Sequence, residues 1–291
     1  MGAEHIKRWK VGDVEIIRIV ELYDFQDDVW VLLEGATADT VKQYPWLFPQ
    51  FATADGRMRM NFQAFVVTSR GKRIMVDTCI GNDRKREYDV FSNLQTSFID
   101  DMAGAGYAPQ SIDTVLCTHL HLDHCGWNTR KVGDKWVPTF PNARYLFSRV
   151  ELDHWEKQLQ AGADHMEHVI DALQPVLDAG LVDFVQPNHK ITDEVSLFPT
   201  PGHTPGHVSV HISSAGQEAV ITGDVVHHPV QFAEPDMKNN FDMDIEAGRR
   251  MRRDFFTRYE DGKALVIGSH FAEPSSGRIR RDDKAWRFDA E

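Results

Sequence analysis

The chain predicts a layered α/β fold, α+β in its local order, with two β-sheets inside. Three observations lead there. Short apolar, β-branched runs recur from one end of the chain to the other. Segments with apolar residues at helical spacing lie between them. The order of hairpin, helix and strand then repeats, which suits two sheets with helices outside.

The elements follow in order. Val14–Val20 and Phe62–Thr68 read as strands. Arg70-Gly71 supplies turn chemistry, and Lys72–Thr78 returns as the second arm of a hairpin. Residues 21–61 read as an irregular insertion with Trp30, Tyr44, Trp46, Phe48 and Phe51. An insertion of that length is expected to form a lid, a substrate wall or a dimer contact. Residues 91–106 read as a helix ending at Gly104-Ala105-Gly106, and Ile112–Thr118 as a strand. Residues 149–160 and 165–179 read as helices, the second from Val169, Ile170, Leu173, Val176 and Leu177. Strands follow at 195–198, 208–212 and 219–222. Residues 244–260 read as a helix whose Arg249, Arg250, Arg252 and Arg253 form a solvated face, and 264–267 as the last strand. With no repeat, low-complexity tract or long linker, residues 1–291 are expected to form a single domain.

Composition narrows the function. The 291 residues are 42% hydrophobic and 26% charged, with a formal net charge of -12. That charge argues against nucleic acid and against an anionic membrane as partners. No stretch reaches the roughly 18 apolar residues of a membrane span. Met1–Lys10 has no signal-peptide core, which points to the cytoplasm. Cys79, Cys117 and Cys125 are too few and unpaired for a disulfide framework and read as reduced thiols.

The chemistry concentrates after the strand that ends at Cys117. Thr118-His119-Leu120-His121-Leu122-Asp123-His124 places four ligand-type side chains within six positions. In extended backbone, residues two apart point the same way, so His119 and His121 can grip one ion. The loop then turns, and Asp123 and His124 can face a second position. Imidazole and carboxylate suit Zn²⁺ and related divalent ions. His203, Asp224 and His270 each follow an apolar strand and one or more small residues. Strand ends on one sheet edge are where sites are built. Together these residues make seven ligands, enough for two ions sharing one carboxylate.

This pattern resembles the metallo-β-lactamase superfamily, whose signature is HxHxDH followed by later His, Asp and His ligands. The resemblance spans roughly residues 60–275 and implies a four-layer αββα sandwich with the metals at one edge of the sheets. It implies that His119, His121 and His203 hold one ion, that Asp123, His124 and His270 hold the other, and that Asp224 bridges them. Asp77 would orient a ligand histidine through its free ring nitrogen. Two divalent ions, two aspartates and a bridging hydroxide would leave the centre at about +1, suited to an anionic transition state. Zn²⁺ is the first choice of metal, with Mn, Co or Fe as alternatives. Asp123 or Asp224 would relay a proton to the leaving group.

An Asp at the bridge, where many β-lactamases have Cys or Ser, is similar to the lactonase, glyoxalase II, phosphodiesterase and organophosphate-hydrolase branches. Gly268-Ser269-His270-Phe271 and the compact C-terminus are closest in pattern to N-acyl homoserine lactonases and methyl parathion hydrolase. The expected reaction is hydrolysis of a lactone or related ester, with a phosphotriester or phosphodiester as the alternative. A one-iron enzyme resembling persulfide dioxygenase is disfavoured by the full ligand set. Homoserine lactonases commonly have Tyr three residues after the bridging Asp; here His227 stands there, followed by His228. His227 or His228 is expected to touch substrate by hydrogen bonding. Trp127, Phe232 and Phe271 are expected in the pocket wall with the insertion's aromatics. His154, His165, His168, His189, His207 and His211 are expected to have structural or surface roles.

Overall fold

A computed structural model describes residues 6–291; the first five residues of the N-terminal stretch considered above lie outside the described residues. Strands β1 (Ile6–Val11), β2 (Val14–Asp27), β3 (Met58–Ser69), β4 (Lys72–Val76) and β5 (Thr114–Leu116) begin the first sheet. A small hairpin, β6 (Thr129–Val132) and β7 (Lys135–Pro138), precedes β8 (Arg144–Ser148) and β9 (Val182–Val185). The first sheet has seven strands in the order β1-β2-β3-β4-β5-β8-β9. The second sheet contains β10 (Val195–Pro199), β11 (Val208–Ser214), β12 (Gln217–Ile221), β13 (Leu265–Ile267), β14 (Ser276–Asp282) and β15 (Ala285–Ala290), paired in chain order.

Local chemistry explains the tightest connection. β3 and β4 pair with Ser69 opposite Lys72, and the two residues between have φ of 51° (Arg70) and 76° (Gly71). Positive φ at both central positions is the hairpin geometry that matches strand twist. β4, β5, β8 and β9 then run parallel. Such strands are covered on both faces and read as short apolar runs rather than alternating ones.

The side chains form three packed layers. Phe65, Val67, Ile74, Val76 and Leu116 of the first sheet meet Val208, Val210, Ile212, Ile221 and Ile267 of the second. On the outer face of the first sheet, Val66, Met75, Val115 and Tyr145 pack under Phe98 and Met102, Leu152 and Trp155, and Val169 and Val176. These come from helices Phe98–Gly104, Arg149–Gln160, and the helical stretch from Val169 to Asp178. On the other side Val220, Val266, Ile279 and Phe288 pack under Phe255, Phe256 and Tyr259 of helix Ile245–Tyr259. The result is the αββα sandwich that the resemblance implied.

Several local expectations are corrected. The helix expected over 91–106 reduces to Phe98–Gly104, because residues 92–97 form a loop that presents Thr96 and Asn82 to each other. The insertion is less irregular than expected: β2 runs on to Asp27 and β3 starts at Met58, while Leu47 and Phe51 are fully buried beside Phe271 and Phe288. Residues 264–267 are not the last strand, since β14 and β15 form a closing hairpin. Their charged exposed faces hid the alternation, and charge on an edge strand also deters pairing with other chains. Arg252 is not solvated. It lies on the inward face of its helix, 1% exposed, donating to Asp242 Oδ2 (2.6 Å) and to the Val225 carbonyl (3.2 Å).

All three cysteines are buried and free. His168 is buried against Trp155, ring centroids 4.8 Å apart, with neither ring nitrogen hydrogen-bonded. Burial lowers its pKa to about 4. Between pH 6.5 and about 4 the unfolded chain therefore takes up a proton that the folded chain refuses, and stability falls as pH falls. His168→Phe removes that uptake. Its stability advantage over wild type should open below about pH 6.5 and approach about 3 kcal/mol near pH 4. Urea unfolding across that range measures it, and a difference that stays flat with pH would contradict it.

Candidate metal centre

The ligand-type side chains gather where strands of both sheets end. β5 delivers His119 and His121, and the single turn Leu122–Cys125 swings Asp123 and His124 round behind them. β10 leads to His203, β12 to Asp224 and β13 to His270. His119, His121, His203 and Asp224 form one group, with ligand atoms all within 4.8 Å of one another, and Asp123, His124 and His270 form a second to the same limit. Asp224 stands between the groups. Its Oδ2 lies 3.2 Å from His124 Nε2, 3.4 Å from His203 Nε2 and 3.7 Å from His119 Nε2, and its Oδ1 lies 3.2 Å from His270 Nε2.

The outer nitrogens show where the ring protons sit. His270 Nδ1 donates to the Asn61 carbonyl (3.1 Å) and His124 Nδ1 to Asp77 Oδ2 (3.0 Å). Thr118 Oγ1 donates to Asp77 (3.0 Å), leaving it to accept from His119 Nδ1 at 3.2 Å. Each neutral ring has one proton, so the inward Nε2 atoms of these three histidines are bare. Yet His124 Nε2 and His270 Nε2 lie 3.1 Å apart. Bare lone pairs at that spacing need a cation between them. Asp224 Oδ1, buried with no hydrogen-bond partner, adds a free acceptor. The donor set of imidazoles and carboxylates thus fits divalent ions of the zinc class.

Electrostatics agree for the first group, while Asp224 and Asp123 raise His124 and His270 above the ordinary histidine range against their burial. Burial holds His119, His121 and His203 well below the ordinary histidine range, so their lone pairs are available at neutral pH. Burial alone would push Asp224 up, but His124, His270, His227 and His119 around it hold the carboxyl well below its usual range. The sequence-read Asp77 serves both sides of the motif, reaching His124 directly and His119 through Thr118. Its φ of 59° lets β4 end in a turn rather than continue.

The remaining histidines separate cleanly. His227 Nε2 lies 3.1 Å from Asp224 Oδ2, and the ring is stacked on His270 at 5.9 Å. His228 points away: Nε2 donates to the Phe51 carbonyl (2.7 Å) and Nδ1 accepts from Val230 N–H (3.1 Å). His207 belongs to neither group; its Nε2 accepts the Asp224 amide N–H at 2.7 Å and so shapes the bridging turn.

The expected aromatic wall is also corrected. Phe232 and Phe271 are fully buried in the core against Phe288, and Trp127 stacks on Phe98 and donates to Glu21. The rings that flank the cluster are others. Phe62 lies 5.1 Å from His270 and is backed by Phe91, Trp155 lies 5.2 Å from His121, and Phe241 lies 5.9 Å from His227. Glu151 is a further group with no sequence signal. It is 1% exposed and takes the N–H groups of Leu120 (3.1 Å) and Gly206 (2.9 Å), tying two ligand loops together.

Comparison with known proteins follows the same line. The metallo-beta-lactamase superfamily model matches residues 63–280. AidC, a dizinc quorum-quenching lactonase solved with a product N-hexanoyl-L-homoserine, has a similar structure. Its TM-score is 0.81 at 25% identity, covering 98% of this chain and 97% of that one. AbOPH, a hydrolase in the beta lactamase superfamily, gives a TM-score of 0.82 at 23% identity, covering 100% and 99% of the two chains. The transcription termination factor FttA of Pyrococcus horikoshii is 29% identical over 135 residues, which is 43% of this chain. The chain spans only 20% of that relative's length.

Proposed function

The chain belongs to the metallo-beta-lactamase superfamily as a metal-dependent hydrolase, and we propose that it uses two metal ions to open a lactone or cleave a related carboxylic ester. The observation that carries this reading is the pair of ligand groups meeting at one carboxylate, Asp224, with bare nitrogens turned inward. His119, His121 and His203 would hold one ion, Asp123, His124 and His270 the other, and Asp224 would serve both. When bound, two divalent ions supply hydroxide at neutral pH and polarise the substrate oxygen.

The residues of the chain do the rest. His121 and Asp123 are the partly exposed members of the cluster, so substrate enters from their side. Phe62, Trp155 and Phe241 offer apolar flanks for an acyl or aryl group. The start of the 21–61 insertion adds to that wall through Phe25, which packs on Phe62 at 5.4 Å. Asp123, 19% exposed at its side chain, would pass a proton to the departing oxygen. His227 provides a polar contact at the bridge. The N-hexanoyl-L-homoserine product bound to AidC supports an acyl-homoserine lactone among the substrates to try first. No helix among the described residues is long and apolar enough to cross a membrane.

A panel of acyl-homoserine lactones, δ-valerolactone, aryl esters and phosphotriesters, followed by acid release in the zinc-, manganese- and cobalt-loaded protein, tests the reading. Lactone or ester turnover with about two ions per chain is expected. Turnover of a phosphotriester with no lactone or ester opened would replace this substrate class, and one iron per chain would replace the dinuclear mechanism.

A further inference from the structure

His227 Nε2 lies 3.1 Å from Asp224 Oδ2, as near to that carboxylate as His124, His203 and His270 are at 3.2, 3.4 and 3.2 Å. Proximity alone would make it an eighth ligand. A ring nitrogen binds a metal only with its lone pair bare, so the position of the His227 proton decides its role.

Asn239 determines that position. Its Oδ1 accepts the Phe241 amide N–H (3.0 Å), which fixes the orientation of the side-chain amide. Its Nδ2 then donates to Asp242 Oδ1 (3.0 Å) and directs its other hydrogen at His227 Nδ1 (3.3 Å). A donor facing Nδ1 requires Nδ1 to be bare, which puts the proton on Nε2. The surroundings leave little freedom. Asn239 is 1% exposed, and the His227 backbone N–H is held by Gln231 Oε1 at 2.7 Å. Asp242 is itself fixed by Arg252 (2.6 Å), and its Oδ1 lies 3.5 Å from His203 Nδ1.

We propose that Asn239 is a positioning residue that holds His227 in the Nε2–H tautomer, so that His227 donates a hydrogen bond at the bridging edge of the centre and does not bind metal. This rests on the hydrolase reading above, in which that donor faces the substrate oxygen gaining negative charge. The same buried network reaches His203 through Asp242, so one loop addresses both a ligand and the donor. A carboxylate at position 239 would invert the arrangement, because it accepts from Nδ1 and leaves Nε2 bare.

The test uses the zinc-loaded full chain with ¹⁵N-labelled histidines. The expected spectrum shows His227 protonated on Nε2 in wild type and on Nδ1 in Asn239→Asp. With δ-valerolactone and phenyl acetate as probes, Asn239→Asp should lose about 100-fold in kcat while KM changes by less than about threefold. Bound zinc should change only through His227 itself, either staying level or rising. Should the new carboxylate beside Asp242 disturb folding, Asn239→Ala is the second variant. It leaves the tautomer unimposed and should lose about tenfold in kcat. In a His227→Tyr background, whose hydroxyl donates whatever its neighbours, Asn239→Asp should add no further loss. A wild-type His227 protonated on Nδ1 overturns the proposal, and so does a tautomer that ignores both Asn239 variants. If Nε2–H is found but neither probe is hydrolysed by wild type, the tautomer assignment stands and the hydrolase reading alone falls.

Discussion

Asp224→Ala should lower kcat/KM by at least about a thousandfold and leave the protein with no more than about one metal ion per chain. The effect is large because the Asp224 carboxylate lies between the two ligand groups and faces histidines of both. Its Oδ2 faces His124, His203 and His119, and its Oδ1 faces His270. Removing the carboxylate takes one negative charge from a buried cluster of imidazoles. It also leaves His124 and His270 without the partner that helps hold both above the ordinary histidine range against the effect of burial. Asp123→Ala is the informative contrast. Asp123 sits at the partly exposed rim, 3.6 Å from His124 Nε2 and 3.5 Å from His270 Nε2, and serves one group only. It should weaken one ion and spare the other. Elemental analysis alongside kinetics measures both variants. An Asp224→Ala protein that keeps about two ions and wild-type turnover would show that the two groups act separately.

The difference between these two aspartates was legible in the sequence, and the difference between His227 and His228 was not. Asp123 stands inside a dense motif and Asp224 just past an apolar strand, so spacing and residue type mark both as ligand types, and the family resemblance implies the bridging role of Asp224. His227 and His228 are adjacent, identical in type and both buried. What separates them is which way each ring turns, and that depends on Phe51 for one and Asn239 for the other. Phe51 is 177 positions away from His228 in the chain. The same limit explains the aromatic wall. Trp127, Phe232 and Phe271 lie close in sequence to ligands, but nearness along the chain does not decide which side of a strand end faces the site. Arg252 was missed for a related reason. Four arginines in five positions suggest a solvated face, yet at 3.6 residues per turn one of them had to point inward beside Phe255 and Phe256. The layers themselves were readable because apolar runs at period two and at helical spacing report burial directly.

Gly126→Ala should destabilise the protein by about 3 kcal/mol or more, although intrinsic propensity argues the other way. Gly126 has φ of -57° and ψ of -58°, ordinary helical values, where Ala is normally favoured by up to about 1 kcal/mol. Packing reverses the sign. A Cβ at this position would meet the Ile80 carbonyl oxygen at 1.8 Å and its carbon at 2.1 Å. Both are backbone atoms, so no side-chain rotation relieves the clash. The approach is close because two segments are zipped together here. Thr78 N–H donates to the His124 carbonyl (2.7 Å), Gly126 N–H to Cys79 (2.7 Å) and Trp127 N–H to Thr78 (2.8 Å). These bonds hold the end of β4, with Asp77, against the turn that presents Asp123 and His124. Forcing them apart therefore costs ligand geometry as well as stability, and zinc affinity should fall with the urea midpoint. Gly133→Ala is the control. Its φ of 60° strains any side chain, but nothing lies within 4 Å of the added Cβ, so it should cost only about 1–2 kcal/mol and leave zinc binding intact. A Gly126→Ala protein that unfolds at the wild-type midpoint, or costs less than the control, would mean that the β4 end and the ligand turn are not locked together as the hydrogen bonds indicate.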